Sequence, residues 1–174
     1  MDHQRINEER MGLLVRTHTG RYRSIQIQRA SDPIQSQANP GMLYALLAIR
    51  PESWWWADGQ STELLSQRKN HEMECIQLYL CRSGRICVQW SGEGNTSYLC
   101  ASAIDQPDAK QSFEVSYVGG NGVDILPKAT VCWETAWEAV AELFITGEKK
   151  IDLNWISESE LIRTFGVDDV ISPR

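Results

Sequence analysis

The chain has 174 residues, of which 42% are hydrophobic and 23% are charged, and it carries a formal net charge of −6 with a pI of about 5.1. These values are typical of a globular domain with a buried core. The negative charge argues against direct binding to nucleic acid, which requires a basic face; it mildly favours a basic partner while also serving solubility.

The N-terminal segment MDHQRINEER (1–10) is polar, and apolar character begins at Met11. The segment contains no apolar run of the kind that forms a signal peptide. No window of the sequence approaches the roughly 18 apolar residues of a membrane span. We therefore expect a cytoplasmic protein that does not enter the membrane, with a disordered lead or an overextended start over 1–10 and a single domain over 11–174.

The N-terminal half predicts two strands followed by a helix. The segments GLLVRTH (12–18) and YRSIQIQ (22–28) are typical of strands joined by a tight turn. The segment 39–50 begins with an asparagine that can cap a helix and a proline that suits its first position, and Pro51 ends it. The polar stretch 57–72 is compatible with a helical turn.

Three consecutive tryptophans, Trp54, Trp55 and Trp56, stand between these elements. No regular element turns three adjacent side chains to one side. One interpretation is a linking strand with Trp54 and Trp56 in the core and Trp55 partly covered. The other places at least one indole, with the nearby Asp58, on a partner-binding surface, where a buried tryptophan at a hot spot is worth on the order of 2–4 kcal/mol.

The middle of the chain predicts an antiparallel meander. MECIQLYLC and ICVQW both alternate between apolar and mixed residues, which gives one apolar face and one mixed face that carries Gln77, Tyr79 and Gln89. A three-residue loop over 83–85 would set the register and pair Leu80 with Val88, Leu78 with Trp90, and Cys81 with Cys87.

Further strands are predicted in TSYLCA and SFEVSYV, the latter with Phe113, Val115 and Tyr117 on one face. The glycine-rich GGNG (119–122) is expected to be a turn, and VDILP (123–127) can add one more strand.

The strongest helix prediction is WETAWEAVAELFITG (133–147). Its apolar residues recur at helical spacing, namely Trp133, Ala136, Trp137, Val140, Leu143 and Phe144. Gly147 suits the left-handed cap position. Glu134, Glu138 and Glu142 fall on the opposite face, where a solvated helix surface is the plain interpretation and a partner-binding surface the functional one.

The C-terminal segment predicts a strand and a short helix. In IDLNW, Ile151, Leu153 and Trp155 alternate toward one side; in SESELIRTF, Ser157 and Glu160 have the spacing of a capping box. Trp133, Trp137 and Trp155 are expected in the core. The sequence as a whole predicts an α+β fold, an antiparallel β-sheet meander covered on one face by two main helices.

Five cysteines, Cys75, Cys81, Cys87, Cys100 and Cys132, show no C-x-x-C spacing, and the histidines lie apart in the sequence. We expect reduced thiols, no metal site and no cofactor.

A small cysteine-dependent enzyme is one alternative function. It would use Cys132 at a helix start with one of the three histidines as base. A structural adaptor that self-associates through Gln77, Tyr79 and Gln89 is another.

The segment VDILPKATVCWETAWEAVAELFITGEKKIDLNW (123–155) resembles the C-terminal signature of immunity protein family one of bacterial polymorphic toxin systems. The signature comprises a β segment ending near a proline, an alanine-rich amphipathic helix, a Thr-Gly stop and a strand closing in tryptophan. The matching positions are Pro127, Ala136, Ala139, Val140, Leu143, Phe144, Thr146, Gly147 and Trp155. The Trp triplet, the cysteine-rich meander and the EKK sequence after Thr146-Gly147 depart from the pattern.

The resemblance implies a cytoplasmic α+β protein, not an enzyme, that binds a cognate toxin and occludes it. In this family the toxin is often a nucleic-acid deaminase, whose basic cleft an acidic inhibitor with exposed aromatics can fill. The candidate partner-binding residues are Trp54, Trp55, Trp56, Asp58, Glu134, Glu138 and Glu142, followed by the acidic tail Glu158, Glu160, Asp168 and Asp169. Free in solution, the chain is expected to be a monomer or a weak homodimer.

Overall fold

The computed structural model describes residues 22–29, 36–37, 61–68, 73–92, 96–101, 113–118, 121–146 and 148–174. These residues form two antiparallel sheets and two helices, which confirms the α+β class. The strands are β1 Tyr22–Arg29, β2 Ser36–Gln37, β3 Ser61–Arg68, β4 Met73–Leu80, β5 Ile86–Ser91, β6 Ser97–Cys100, β7 Glu114–Val118, β8 Asn121–Ile125, β9 Thr130–Val131, β10 Trp155–Ser157 and β11 Ile171–Pro173. The helices are α1 Trp133–Thr146 and α2 Glu158–Phe165, and a 3₁₀ turn spans Pro127–Ala129.

The main sheet has the strand order β10-β6-β5-β4-β3-β1-β2, and β9 pairs with β5 beside this path. The second sheet has the order β11-β8-β7. The strand predicted at 22–28 is therefore present. Residues 61–68 of the stretch 57–72 form β3 between β1 and β4, so a helical turn there is wrong, and the rest of that stretch lies outside the described residues. SFEVSYV forms β7 as predicted but belongs to the second sheet, not to the meander. The predicted strand at 12–18 and helix at 39–50 lie outside the described residues.

The β4–β5 hairpin keeps the predicted faces but has a different register. Leu78 pairs with Val88 and Ile76 with Trp90, while Cys87 faces Tyr79, so the predicted Cys81–Cys87 pair is wrong. The reason lies in the loop, which spans 82–84: the Cys81 amide donates to the Arg85 carbonyl at 2.8 Å, and Gly84 adopts a positive φ of 83°. Moving the loop by one residue shifts every pair by two positions, which leaves the faces unchanged.

The apolar face of the main sheet packs against α1. The buried residues of this first core come from β4, β5, the end of β6, β9 and α1: Ile76, Leu78, Leu80, Ile86, Val88, Trp90, Cys100, Val131, Ala136, Trp137, Ala139, Val140 and Leu143. Trp137 is buried as predicted, and Trp133 and Trp155 pack against the core while partly exposed. The rings of Trp90 and Trp155 meet edge to face, with centroids 6.2 Å apart.

The mixed face of the main sheet is also covered, by the second sheet and α2. This second core contains Tyr79, Cys81, Cys87, Leu99, Val123, Ile125, Leu126, Ala129, Leu161 and Val170. The cysteines explain how a face with polar residues can be buried, because a free cysteine packs as a small hydrophobic residue. All five cysteines are free thiols in the structure.

Strand β7 turns a different side inward from the one predicted. Ser116 is fully buried and its hydroxyl donates to the Leu80 carbonyl at 2.7 Å, whereas Phe113 is 38% exposed. The Arg82 amide donates to the Val115 carbonyl at 2.8 Å. These bonds join β7 to the end of β4 and its turn, so the inward side is chosen by hydrogen bonding. The GGNG prediction is also incomplete, because its last two residues lie in β8.

Helix α2 begins as predicted, with the Ser157 hydroxyl accepting from the Glu160 amide at 3.3 Å. It ends at Gly166, which has φ 63° and donates its amide to the Ile162 carbonyl. The strand predicted for IDLNW is wrong at its start, because residues 151–153 form a turn and β10 begins only at Trp155.

Candidate functional site

The candidate residues Trp54, Trp55, Trp56 and Asp58 lie outside the described residues. The described candidates are the carboxylates of α1 and of the C-terminal segment. Residues 121–174 hold ten acidic and five basic side chains. Almost all of the net charge of −6 therefore falls in this part of the chain, at −5.

Helix α1 carries three of these carboxylates on one side, because residues four positions apart share a helix face. Glu134, Glu138 and Glu142, here called the acidic α1 face, are all partly exposed. The predicted arrangement is therefore present, with the carboxylates half-buried at the margin of the core instead of fully solvated. Within the described part of the chain, the structure shows no ion pair for Glu134 or Glu142.

Glu138 differs from its two neighbours because it pairs with Lys150, whose ammonium lies 3.1 Å from its Oε2 atom. This contact brings the segment after α1 back alongside the middle of the helix. The ammonium of the preceding residue, Lys149, lies 3.7 Å from the centroid of the Tyr98 ring and 5.7 Å from that of the Trp155 ring. Both lysines of the EKK sequence thus take part in contacts within the chain.

The turn over 148–153 was not anticipated from the sequence. The Lys150 carbonyl accepts a bond from the Trp155 indole Nε1 at 2.7 Å and a longer one from the Leu153 amide at 3.4 Å. Ile151 at its tip is 87% exposed. Asp152 and Asn154 are residue types that favour turns, and they were the sequence signal for this turn. Their alternation with apolar neighbours resembled a strand instead.

A second group of carboxylates surrounds α2. Glu158 and Asp169 lie at a cleft of about 440 Å³ that is also lined by Thr96, Ser97, Ser159 and Ile162. Glu160 and Asp168 are exposed. The predicted acidic tail is thus located around a folded helix and its C-terminal cap.

The polar side chains of the mixed sheet face are hydrogen-bonded to one another. The Tyr79 hydroxyl lies 2.9 Å from Gln77 Oε1 and 3.4 Å from Gln89 Oε1, and the Gln89 amide donates to Ser97 at 2.8 Å. Gln77 and Tyr79 also line a groove of about 510 Å³ with Asn121, Gly122, Val123, Ile171, Pro173 and Arg174. Tyr79 is nearly buried, so it contributes to the second core more than to a free surface.

Three of the five thiols are buried, Cys132 is exposed and Cys75 is intermediate. Burial raises the pKa of Cys81 to about 12, with a smaller contribution from Glu114, and burial likewise raises the pKa of Cys100 to about 12. Burial also raises the pKa of Cys87 well above its ordinary value. These three groups are neutral thiols at physiological pH and poor nucleophiles.

Cys132 is the exposed thiol, and its position precedes α1. Its sulfur lies 3.3 Å from the Thr135 hydroxyl, and its carbonyl accepts from the Ala136 amide at 3.1 Å. The histidines considered as its base, His3, His18 and His71, lie outside the described residues. Among the residues that the structure does describe, no group of three or more histidine, cysteine or carboxylate side chains is placed to hold a metal ion.

No described helix has both the length and the apolar character needed to cross a membrane. In comparisons with known proteins, no family model, no curated protein and no solved structure matches the chain. The likeness of residues 123–155 to an immunity-protein signature is therefore a likeness of sequence pattern.

Proposed function

We propose that this chain is a cytoplasmic binding protein that neutralises a cognate toxin domain by covering it. The observation that carries the proposal is the acidic α1 face, which lies within the segment 123–155 that resembles the immunity-protein signature. Two of its three carboxylates, those of Glu134 and Glu142, are partly exposed and have no ion-pair partner within the described residues, which supports a role in contacting a second molecule.

The partner that fits such a surface is basic. A toxin that modifies nucleic acid needs a cationic cleft for its substrate, and an acidic protein that enters the cleft excludes that substrate without any chemistry of its own. Charge complementarity accelerates the encounter, and apolar contacts at the centre of the interface slow dissociation. The resemblance favours a nucleic-acid deaminase as the toxin.

The test uses the protein encoded by the neighbouring open reading frame as the probe. Glu134→Lys combined with Glu142→Lys is expected to raise the Kd about tenfold or more, mainly through slower association. The effect should shrink as the ionic strength rises. The melting temperature should fall only slightly, because Glu134 lies in the first turn of α1, where a carboxylate interacts favourably with the helix dipole. Glu138 is a poorer probe, because its reversal would also place a lysine against Lys150.

The comparison variant is Glu160→Lys combined with Asp168→Lys, which changes the net charge by the same amount on the acidic tail, the lower-ranked candidate surface around α2. The proposal predicts the larger loss for the α1 variant, and equal losses would show that the acidic α1 face has no special role. An affinity that neither variant nor salt changes would contradict an electrostatic interface and remove the acidic α1 face from the proposal.

A second candidate function is favoured by the exposed thiol of Cys132 at the start of a 14-residue helix. Helix N-termini and neighbouring cations are settings in which enzymes activate a cysteine. Iodoacetamide labelling of the native protein at neutral pH separates the two functions. Labelling of Cys132 much faster than that of a free cysteine peptide would support an enzyme, and labelling at the peptide rate would dismiss it.

A further inference from the structure

Ile151 presents an apolar side chain to solvent at the tip of the turn over 148–153. It is 87% exposed, and only one other large hydrophobic residue among those described, Phe113 at 38%, counts as exposed. A single exposed apolar residue is common on soluble proteins. Ile151 is distinguished by the contacts that fix its turn and by the charged residues near it.

The turn is fixed by contacts on both sides of Ile151. The Lys150 ammonium pairs with Glu138 at 3.1 Å, and the Lys150 carbonyl accepts from the Trp155 indole at 2.7 Å. Lys149 lies over Tyr98. Since these groups belong to α1 and the main sheet, the side chain of Ile151 is held out from a pre-organised loop, which lowers the entropy lost on binding.

The charges of the turn itself balance, with Glu148 and Asp152 against Lys149 and Lys150. The two lysines are held by contacts within the chain, whereas Glu148 and Asp152 are exposed, and the excess of negative charge beside the turn comes from α1. The contact between Lys150 and Glu138 also places the turn next to the acidic α1 face. An exposed apolar side chain beside a cluster of carboxylates complements an apolar socket that lies beside lysine or arginine side chains.

We infer that Ile151 is the apolar anchor of the partner-binding surface and inserts into such a socket on a basic protein. This inference rests on the proposed function. It adds that the burial of Ile151 sets the dissociation rate of the complex. Interface hot spots combine one desolvated side chain with a surrounding ring that excludes water. In this inference Ile151 is the desolvated side chain, and the charged residues of the turn together with the acidic α1 face form its surroundings.

The test measures the affinity of the full chain for the purified product of the neighbouring open reading frame by calorimetry. Ile151→Ser is expected to raise the Kd about tenfold or more, since it removes the apolar group from the socket. Ile151→Lys should weaken binding further because a cation would meet the basic rim, and Ile151→Leu should stay close to the wild-type value. Melting temperatures should not change, because the side chain makes no core contact.

Phe113→Ser is the matched control, as it removes an exposed hydrophobic residue that directly precedes β7 of the second sheet, on the other side of the main sheet. It should leave the Kd unaltered. If the wild-type chain binds and Ile151→Ser binds equally well, the inference is overturned and the proposed function stands. If the wild-type chain does not bind the probe, the proposed function is overturned together with the inference.

Discussion

The buried thiols predict a loss of stability at alkaline pH that one substitution should reduce. Burial is the largest cause of the raised pKa of Cys100, which is about 12 in the folded protein against an ordinary value of 9.0. An unfolded chain releases this proton near pH 9, whereas the folded chain retains it. The thiol therefore stabilises the fold fully below pH 9, and this stability is lost as the pH rises from 9 toward 12.

The size of the effect follows from the difference between the two pKa values. Each thiol whose folded pKa is about 12 costs about 1.4 kcal/mol per pH unit above 9, or about 2 kcal/mol at pH 10.5. Cys81 and Cys100 together therefore cost about 4 kcal/mol, and Cys87 adds to this. A loss of that size is a large part of the stability of a typical domain.

The assay is urea unfolding under reducing conditions, followed by tryptophan fluorescence at several pH values between 8 and 10.5. Cys100→Ala should lower the free energy of unfolding somewhat at pH 8 but flatten its decline above pH 9 by about 1.4 kcal/mol per unit. Cys132→Ala is the control: it removes an exposed thiol whose charge contributes less than burial to the raised pKa of Cys100, so most of the decline should remain. A decline in Cys100→Ala that runs parallel to that of the wild type would refute the reasoning.

Two predictions concern the core and its polar connections. Leu143→Ala leaves a cavity at a fully buried position of α1 and should lower the free energy of unfolding, measured by urea titration, by about 2–5 kcal/mol. Ile151→Ala is the control and should lower it by almost nothing. Equal losses would show that the first core is placed wrongly. Arg85 donates two hydrogen bonds to the fully buried Thr130, from Nε to its hydroxyl at 2.6 Å and from Nη2 to its carbonyl. Arg85→Met should therefore lower the free energy of unfolding by about 1–3 kcal/mol. Arg85→Lys should restore little of that loss because lysine lacks the planar fork, and full recovery with lysine would contradict the assigned geometry.

Regular periodicity made parts of the fold predictable. Alternation in β4 and β5 established which residues face α1, and the recurrence of apolar residues from Trp133 to Leu143 established the helix and its buried side. The N-cap at Ser157 was readable because it is a local hydrogen bond between residues three positions apart. Each of these signals depends only on neighbours in the sequence.

The differences arose where backbone geometry or distant contacts decide. The hairpin register depends on where the loop begins, and both a loop over 82–84 and one over 83–85 would contain Gly84, which takes the positive φ. Ser116 is buried because the Leu80 carbonyl lies within reach, although polarity alone suggested the opposite face. The sequence IDLNW alternates like a strand, but contacts of Lys150 with Glu138 and Trp155 stabilise a turn.

The candidate site could be predicted only in part. The acidic α1 face followed from helical spacing, whereas Ile151 was assigned to a strand and its exposure could not be anticipated. The pairing of Lys150 with Glu138 joins residues twelve positions apart, which no periodic pattern reveals.

The most direct measurement is relief of toxicity. The neighbouring open reading frame is expressed in a bacterial host with and without this chain, growth is followed, and the two proteins are purified together through a tag on one of them. The account predicts that growth is restored only when this chain is present and that a stoichiometric complex is recovered. Growth arrest that persists although this chain is folded and abundant, with no complex formed, would contradict it.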